Sequence, residues 1–131
     1  VQAGTRLAVA VMDIDFFKKI NDRYGHDGGD AVLKNFAALM GAHFKNILVA
    51  RVGGEEFFLL FEEPDKAAGY CEEFRRIVEQ ATTPFGDENI CFTISIGITC
   101  QASCDLDDML NHADKNLYHA KQSGRNRIVA I

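Results

Sequence analysis

The 131-residue chain has little that would staple, thread or anchor it. Its four cysteines, Cys71, Cys91, Cys100 and Cys104, form no C-x-x-C pair and stand at no zinc-ligand spacing to histidine, which excludes a zinc-held scaffold. They read as small hydrophobes in a reducing compartment, although the spacing of Cys100 and Cys104 leaves a disulfide open. The longest uncharged apolar run covers only residues 7–12, far short of the ~20 residues that cross a bilayer. No basic-then-apolar leader opens the sequence. Positive charge is also in deficit: 14 Lys and Arg against 19 Asp and Glu give a net charge of −5, which argues against a duplex-binding surface. Neither G-x-G-x-x-G nor G-x-x-x-x-G-K-[ST] occurs, and no EF-hand calcium loop is present. A nucleotide, if one is bound, is held in another way.

What is present is ordinary globular composition, 47% hydrophobic and 25% charged, without repeat, linker or low-complexity segment. A single domain of residues 1–131 follows. The continuous apolar run that ends at Asp13 suits a central strand buried on both faces, with its end at the surface. Residues 16–24 suit a short amphipathic helix, Gly25 to Gly29 a turn, and Asp30 the cap of a helix carrying Val32, Leu33, Phe36, Ala37 and Met40. Strands are expected near 47–52 and 55–61. After Pro64, Asp65 can cap a helix with the stripe Ala67, Ala68, Cys71, Phe74, Ile77, Val78 and Ala81, ended by Pro84 and Gly86. Ile90, Phe92, Ile94, Ile96 and Ile98 alternate at a period of two and predict one strand. A last helix through Leu106, Met109, Leu110, Ala113, Leu117 and Ala120 stops at Gly124 and hands over to a strand at 127–131. The order β-α-β-β-α-β then α-β is an α+β, ferredoxin-like core with an appended helix and strand.

Gly53-Gly54-Glu55-Glu56 is the stretch that folding alone explains least. A Gly-Gly pair between two β-prone runs signals a two-residue hairpin turn, because the favoured turns need positive φ. Glu55 and Glu56 then stand at the hairpin mouth with side chains on opposite faces of the sheet. A solvated, charged hairpin tip is one reading. The other follows from topology: the first strand lies beside a hairpin strand, which makes Asp13 and Glu55 neighbours. Two carboxylates so placed repel each other unless a cation sits between them. Mg²⁺ prefers a few carboxylates together with phosphate oxygens and water, so the pair suits a nucleotide-phosphate site.

Four blocks then carry a resemblance: D-I-D-F-F-K-K-I-N-D-R-Y-G-H-D-G-G-D at 13–30, R-V-G-G-E-E-F at 51–57, S-I-G at 95–97 and A-D-K-N-L-Y-H-A-K-Q-S-G-R-N at 113–126. In this order, over nearly the whole chain, they resemble the GGDEF family of diguanylate cyclases in its GGEEF variant. The resemblance implies a nucleotidyl-cyclase or polymerase-palm-like fold, a central antiparallel or mixed sheet flanked by helices. It implies condensation of two GTP into cyclic di-GMP and pyrophosphate, with Mg²⁺ or Mn²⁺, by a homodimer of facing domains in the bacterial cytoplasm.

Carried over residue by residue, Asp13, the main-chain carbonyl of Ile14, and Glu55 resemble the metal ligands. Glu55 is also tied to activating the attacking hydroxyl, with Glu56 beside it. Asn21 and Asp30 resemble the guanine readers, since guanine offers N1–H and an exocyclic amine to a carboxylate, and His26 falls at a substrate-contacting position. Phe16, Phe17 and Lys18 open the turn whose backbone N–H groups can bind phosphate. Lys121 and Arg125 resemble triphosphate clamps. Each has a plainer reading as well: Lys121 as a helix C-terminal cation, Asp30 as a cap, His26 as a turn residue, Asn21 as a surface amide.

The family usually carries a helix and a D-x-L-T-G-L-x-N-R segment before the first strand, so the chain reads as an excised catalytic domain whose full-length protein has an upstream sensory module and, in some arrangements, a membrane anchor. The family's R-x-x-D product-inhibition motif would end at Ile47, where Phe44-Lys45-Asn46-Ile47 stands instead, so feedback through that motif is not expected. A binding-only receptor for GTP or cyclic di-GMP, and a cyclase making a mixed GMP-AMP product, are the competing readings. The first usually loses signature acids and the second departs at the Asp30 position; here both are retained.

Overall fold

The computed structural model describes residues 6–101 and 105–130. Their elements are β1 (Leu7–Ile14), α1 (Phe17–His43), β2 (Leu48–Arg51), β3 (Glu56–Phe61), α2 (Pro64–Gln80), β4 (Thr83–Phe85), β5 (Glu88–Ile90), β6 (Ile94–Gln101), α3 (Leu106–Gln122) and β7 (Ile128–Ala130). One mixed sheet has the order β2-β3-β1-β6-β7; β4 and β5 make a separate two-stranded ribbon. The apolar first strand is central, as its composition requires: it pairs antiparallel with both β3 and β6, and β7 is parallel to β6. The α+β fold expected from the sequence is the fold observed.

Alternation along β1 divides the core. Ala8, Ala10, Met12 and Ile14 pack with α1 and α2 around Phe36, Phe57, Phe74 and Phe92, while Leu7, Val9 and Val11 pack with Phe58 against Met109, Ala113 and Leu117 of α3. Phe36 is fully buried, with ring centroids 5.0 Å from Phe57 and 5.6 Å from Phe74. Truncating such a residue costs about 3–5 kcal/mol. Gly97 on β6 sets how close α3 comes: a Cβ there would lie 2.1 Å from the Ala113 carbonyl oxygen and 2.2 Å from the Leu117 nitrogen. The helix backbone therefore rests on the sheet itself, which fixes the height of everything α3 presents beyond that contact.

Several local expectations are corrected. The predicted turn at Gly25 to Gly29 shrinks to one kink at Gly25 (φ 76°, ψ 175°) inside a nearly continuous α1. Asp30 is therefore an exposed helical residue and not a cap. Gly28 and Gly29 serve close packing: Cβ atoms there would meet Tyr24 Cβ at 2.3 Å and Asn21 Oδ1 at 1.8 Å. The hairpin turn has three residues, Gly53, Gly54 and Glu55, since Val52 N–H donates to the Glu56 carbonyl at 3.0 Å. Neither of its glycines has positive φ. Arg51 holds the turn instead, its guanidinium donating to the carbonyls of Gly53 and Gly54 at 3.0–3.1 Å.

The alternating run from Ile90 to Ile98 is two strands, because β5 pairs with β4 and the ladder of β6 begins at Ile94. Pro84 and Gly86 belong to that ribbon. Glu63, not Asp65, precedes α2, with Pro64 in its first turn. Ala37, Ala68, Ile77 and Leu106 are exposed although placed in apolar stripes. Cys71 is buried as a small hydrophobe; Cys91 and Cys100 are exposed thiols. Cys104 and Ile131 lie outside the described residues. No described helix is long and apolar enough to cross a membrane.

Candidate active site

The carboxyl end of β1 meets the hairpin turn and the last turns of α3. Asp13 is 5% exposed and opposite Glu56 in the β1–β3 register, and odd residues of β1 share the α3 face. Its Oδ2 pairs with Lys121 Nζ. Among the described residues, Oδ1 of Asp13 is a buried side-chain oxygen without a hydrogen-bond partner. Burial raises the Asp13 carboxyl above its ordinary range, Lys121 opposes that, and the charges of Glu55 and Asp15 add to it. Ile14 donates its N–H to the Glu55 carbonyl at 3.4 Å, which ties the strand end to the turn.

Glu56 is half-buried and its carboxyl is raised to about 7, first by burial, then by the charge and hydrogen bond of Asp114 on α3, then by Asp13. The site is thus short of positive charge: Lys121 faces Asp13 and Glu56, while Glu55 adds negative charge beside Asp13 and Asp114 beside Glu56. That donor set fits a divalent cation. An orphaned buried carboxylate oxygen beside two further acids is what a hard cation would satisfy. No group of three or more His, Cys, Asp or Glu among the described residues forms a metal-holding cluster by itself. A cation held there would need substrate oxygens and water to complete its shell.

The other end of the site favours anions. Phe16 sits in the left-handed region (φ 56°), α1 starts behind it without a side-chain cap, and its first-turn N–H groups carry the positive end of the helix dipole. The half-exposed Phe16 ring carries two cations, Lys19 Nζ at 4.7 Å and the Arg125 guanidinium carbon at 4.5 Å from its centroid. Phe17 is half-buried and Lys18 exposed. On α1, Asn21 lies against Gly29, next to Asp30 across the Gly25 kink, and His26 is exposed just after that kink.

The structure therefore brings together Asp13, Ile14, Glu55, Glu56 and Lys121, and Phe16 with Arg125; it brings Asn21 to the glycine beside Asp30. Three residues of the site escaped sequence reasoning. Asp114 is seven positions before Lys121, two helical turns on one face, a spacing that could have found it. Arg51 flanks the glycine pair. Asp15, 3% exposed, accepts hydrogen bonds from Thr93 Oγ1 at 2.7 Å, Ser95 Oγ at 2.6 Å and Asn126 N–H at 3.0 Å; nothing local in the sequence marks it.

A family model described as "Diguanylate cyclase, GGDEF domain" matches residues 1–127. Diguanylate cyclase A of Treponema denticola is 39% identical over 128 residues, covering 93% of this chain and 34% of that protein. Response regulator PleD of Caulobacter vibrioides is 40% identical over 135 residues, covering 96% and 29%. The chain thus spans about a third of the length of these relatives. Diguanylate cyclase SiaD of Pseudomonas aeruginosa, solved with its activator SiaC, superposes with a TM-score of 0.92 at 36% identity, over 98% of this chain and 51% of that one. The active GGEEF domain of a Vibrio cholerae diguanylate cyclase gives 0.86 at 34% identity, over 96% and 83%.

Proposed function

Because this chain belongs to the GGDEF-domain family of diguanylate cyclases, we propose that it condenses two GTP into cyclic di-GMP and two pyrophosphates, one GTP held by each of two facing copies. The observation that carries this reading is the unpartnered, buried Oδ1 of Asp13 between the Glu55 turn and Lys121. Asp13, the Ile14 carbonyl and Glu55 would hold Mg²⁺ or Mn²⁺, which when bound neutralises phosphate charge and makes the attacking hydroxyl easier to deprotonate.

The chain's own residues do the rest. The first-turn amides of α1 at Phe16, Phe17 and Lys18, with Lys121 and Arg125, take the triphosphate and spread its charge over fixed donors. Asn21 and Asp30 read the guanine edge from the two sides of the Gly25 kink, and His26 contacts the same substrate. Glu55 receives the proton of the 3′-hydroxyl as that oxygen attacks the α-phosphorus of the GTP on the facing copy; the α-phosphorus to bridging-oxygen bond breaks and pyrophosphate carries the electron pair away. Glu56 stands beside it, its carboxyl steered by Asp114. The same step in the opposite sense closes the ring.

Such a domain needs nucleoside triphosphate and so works in the cytoplasm. A sensory or dimerising module elsewhere in a longer polypeptide would govern the encounter of the two copies, in keeping with relatives about three times as long. The test is chromatographic: GTP and Mg²⁺ with the chain should yield cyclic di-GMP and pyrophosphate, and Glu55→Gln should reduce turnover by orders of magnitude while leaving the fold intact. Normal turnover by Glu55→Gln removes that residue from the mechanism.

A further inference from the structure

Among the described residues, the link between α3 and β7 holds a run of successive positive φ angles. Gly124, Arg125 and Asn126 have φ of 129°, 63° and 46°, three successive positive values of which two belong to non-glycine residues. L-residues rarely adopt that region, and a run of them persists only where the surroundings over-determine it. The surroundings here are specific. Asn126 donates its backbone N–H to the buried Asp15 carboxylate at 3.0 Å. Its side chain donates to Glu79 Oε2 at 2.5 Å and accepts from Arg75 Nη1 at 2.9 Å, both from α2. Arg75 is itself gripped by Glu72 through two hydrogen bonds of 2.7 and 2.8 Å.

The residue presented by this run is Arg125. Its N–H closes onto the Ala120 carbonyl at 2.9 Å and its guanidinium lies over Phe16, the residue that follows Asp15. Asp15 thus touches both halves of the anion-binding end: it precedes Phe16 in the chain and anchors Asn126 next to Arg125. A fully hydrogen-bonded buried carboxylate is a rigid joint, and Thr93 and Ser95 supply its other donors.

We propose that Asp15 and Asn126 are positioning residues for Arg125, holding the 124–126 backbone in its left-handed run so that the guanidinium is set over the phosphate end of the site, with α2 connected to that setting through Arg75 and Glu79. This rests on the assignment of Arg125 as a triphosphate clamp made above. Preorganisation is what the arrangement supplies: a guanidinium already in place loses less conformational freedom when phosphate arrives. The chemistry it serves is recognition of the β- and γ-phosphates, not of guanosine.

The test separates positioning from stability by ligand. Affinity is measured calorimetrically, with Mg²⁺, for a non-cleavable α,β-methylene GTP analogue and for GMP, in the parent, Asn126→Gly, Arg125→Ala and the double variant. Glycine keeps the positive φ cheap, so Asn126→Gly removes the side-chain ties to α2 without adding strain; Asp15→Asn, checked for folding by its melting temperature, is the second route to the same joint. Arg125→Ala is expected to weaken the triphosphate about tenfold, one charge-assisted contact's worth, and Asn126→Gly several-fold, with GMP affinity unchanged in both. In the double variant, Asn126→Gly should add nothing to Arg125→Ala. An equal loss for GMP, or an undiminished effect of Asn126→Gly without Arg125, overturns the positioning role and leaves the clamp standing. A parent that binds the triphosphate no tighter than GMP overturns the clamp, and this inference with it.

Discussion

Glu56 offers a test that needs no substrate. Its carboxyl is raised from 4.5 to about 7 by burial and by the facing acids Asp114 and Asp13, against the pull of Lys121. The folded state therefore holds this proton more tightly than the unfolded chain does. The stability linked to it is fully present below about pH 4.5 and is lost as pH rises through about 7. Taken at face value the rise corresponds to about 3 kcal/mol; water reaches the half-exposed carboxyl, which cuts the contribution to about 1–2 kcal/mol. Glu56→Gln removes the titration while keeping shape and hydrogen-bonding capacity. Urea unfolding in metal-free buffer between pH 5.5 and 8.5 should show the parent losing about 1–2 kcal/mol relative to the variant, so that Glu56→Gln is the more stable protein at pH 8.5. Parallel pH profiles for the two proteins would refute the claim that the hairpin acids strain one another across the α3 interface.

Three further outcomes follow from named contacts. Gly97→Ala forces a methyl group into the α3 backbone at Ala113 and Leu117, and should cost about 3 kcal/mol or more in unfolding free energy, with GTP affinity lost even in conditions where the variant remains folded. Lys121→Met removes the partner of the buried Asp13; it should destabilise the metal-free protein by about 1–3 kcal/mol at pH 8 and by less as the pH is lowered, because burial raises the Asp13 carboxyl above its ordinary range, and Mg²⁺ should restore part of that loss in a melting experiment. Asp30→Ala should abolish the preference for GTP over ATP in a competition assay, and unchanged selectivity removes Asp30 from the guanine contacts.

The sequence made the fold legible where one pattern could mean one thing. The continuous apolar run ending in Asp13 suits a strand covered on both sides, and it is the central strand of the sheet. It misled where glycine has two uses. Gly28 and Gly29 read as a turn but serve contact with Tyr24 and Asn21, and Gly53 and Gly54 read as positive-φ turn residues but need no such backbone, Arg51 closing the turn in their place. The alternation from Ile90 to Ile98 concealed a strand break because alternation records which side is buried and not which strand is paired. At the site, Asp13, Glu55 and Lys121 were reachable because topology or motif spacing put them at one sheet end. Asp15 was not, since its importance lies in partners 78 to 111 residues away; Asp114 stands at a helical spacing from Lys121 that marks its face, but its pairing with Glu56 exists only once α3 packs on the sheet.

The central claim is that two copies, each holding one GTP, make one product. It is tested most directly by measuring specific activity against protomer concentration at saturating GTP and Mg²⁺, with the chain alone and fused to a dimerising coiled coil. Cyclic di-GMP formation per protomer should rise with concentration for the chain alone and become independent of concentration in the fusion, with Glu55→Gln inactive in both. No cyclic di-GMP from the dimerised, GTP-saturated fusion, or equal specific activity at all concentrations of the monomeric chain, would contradict it.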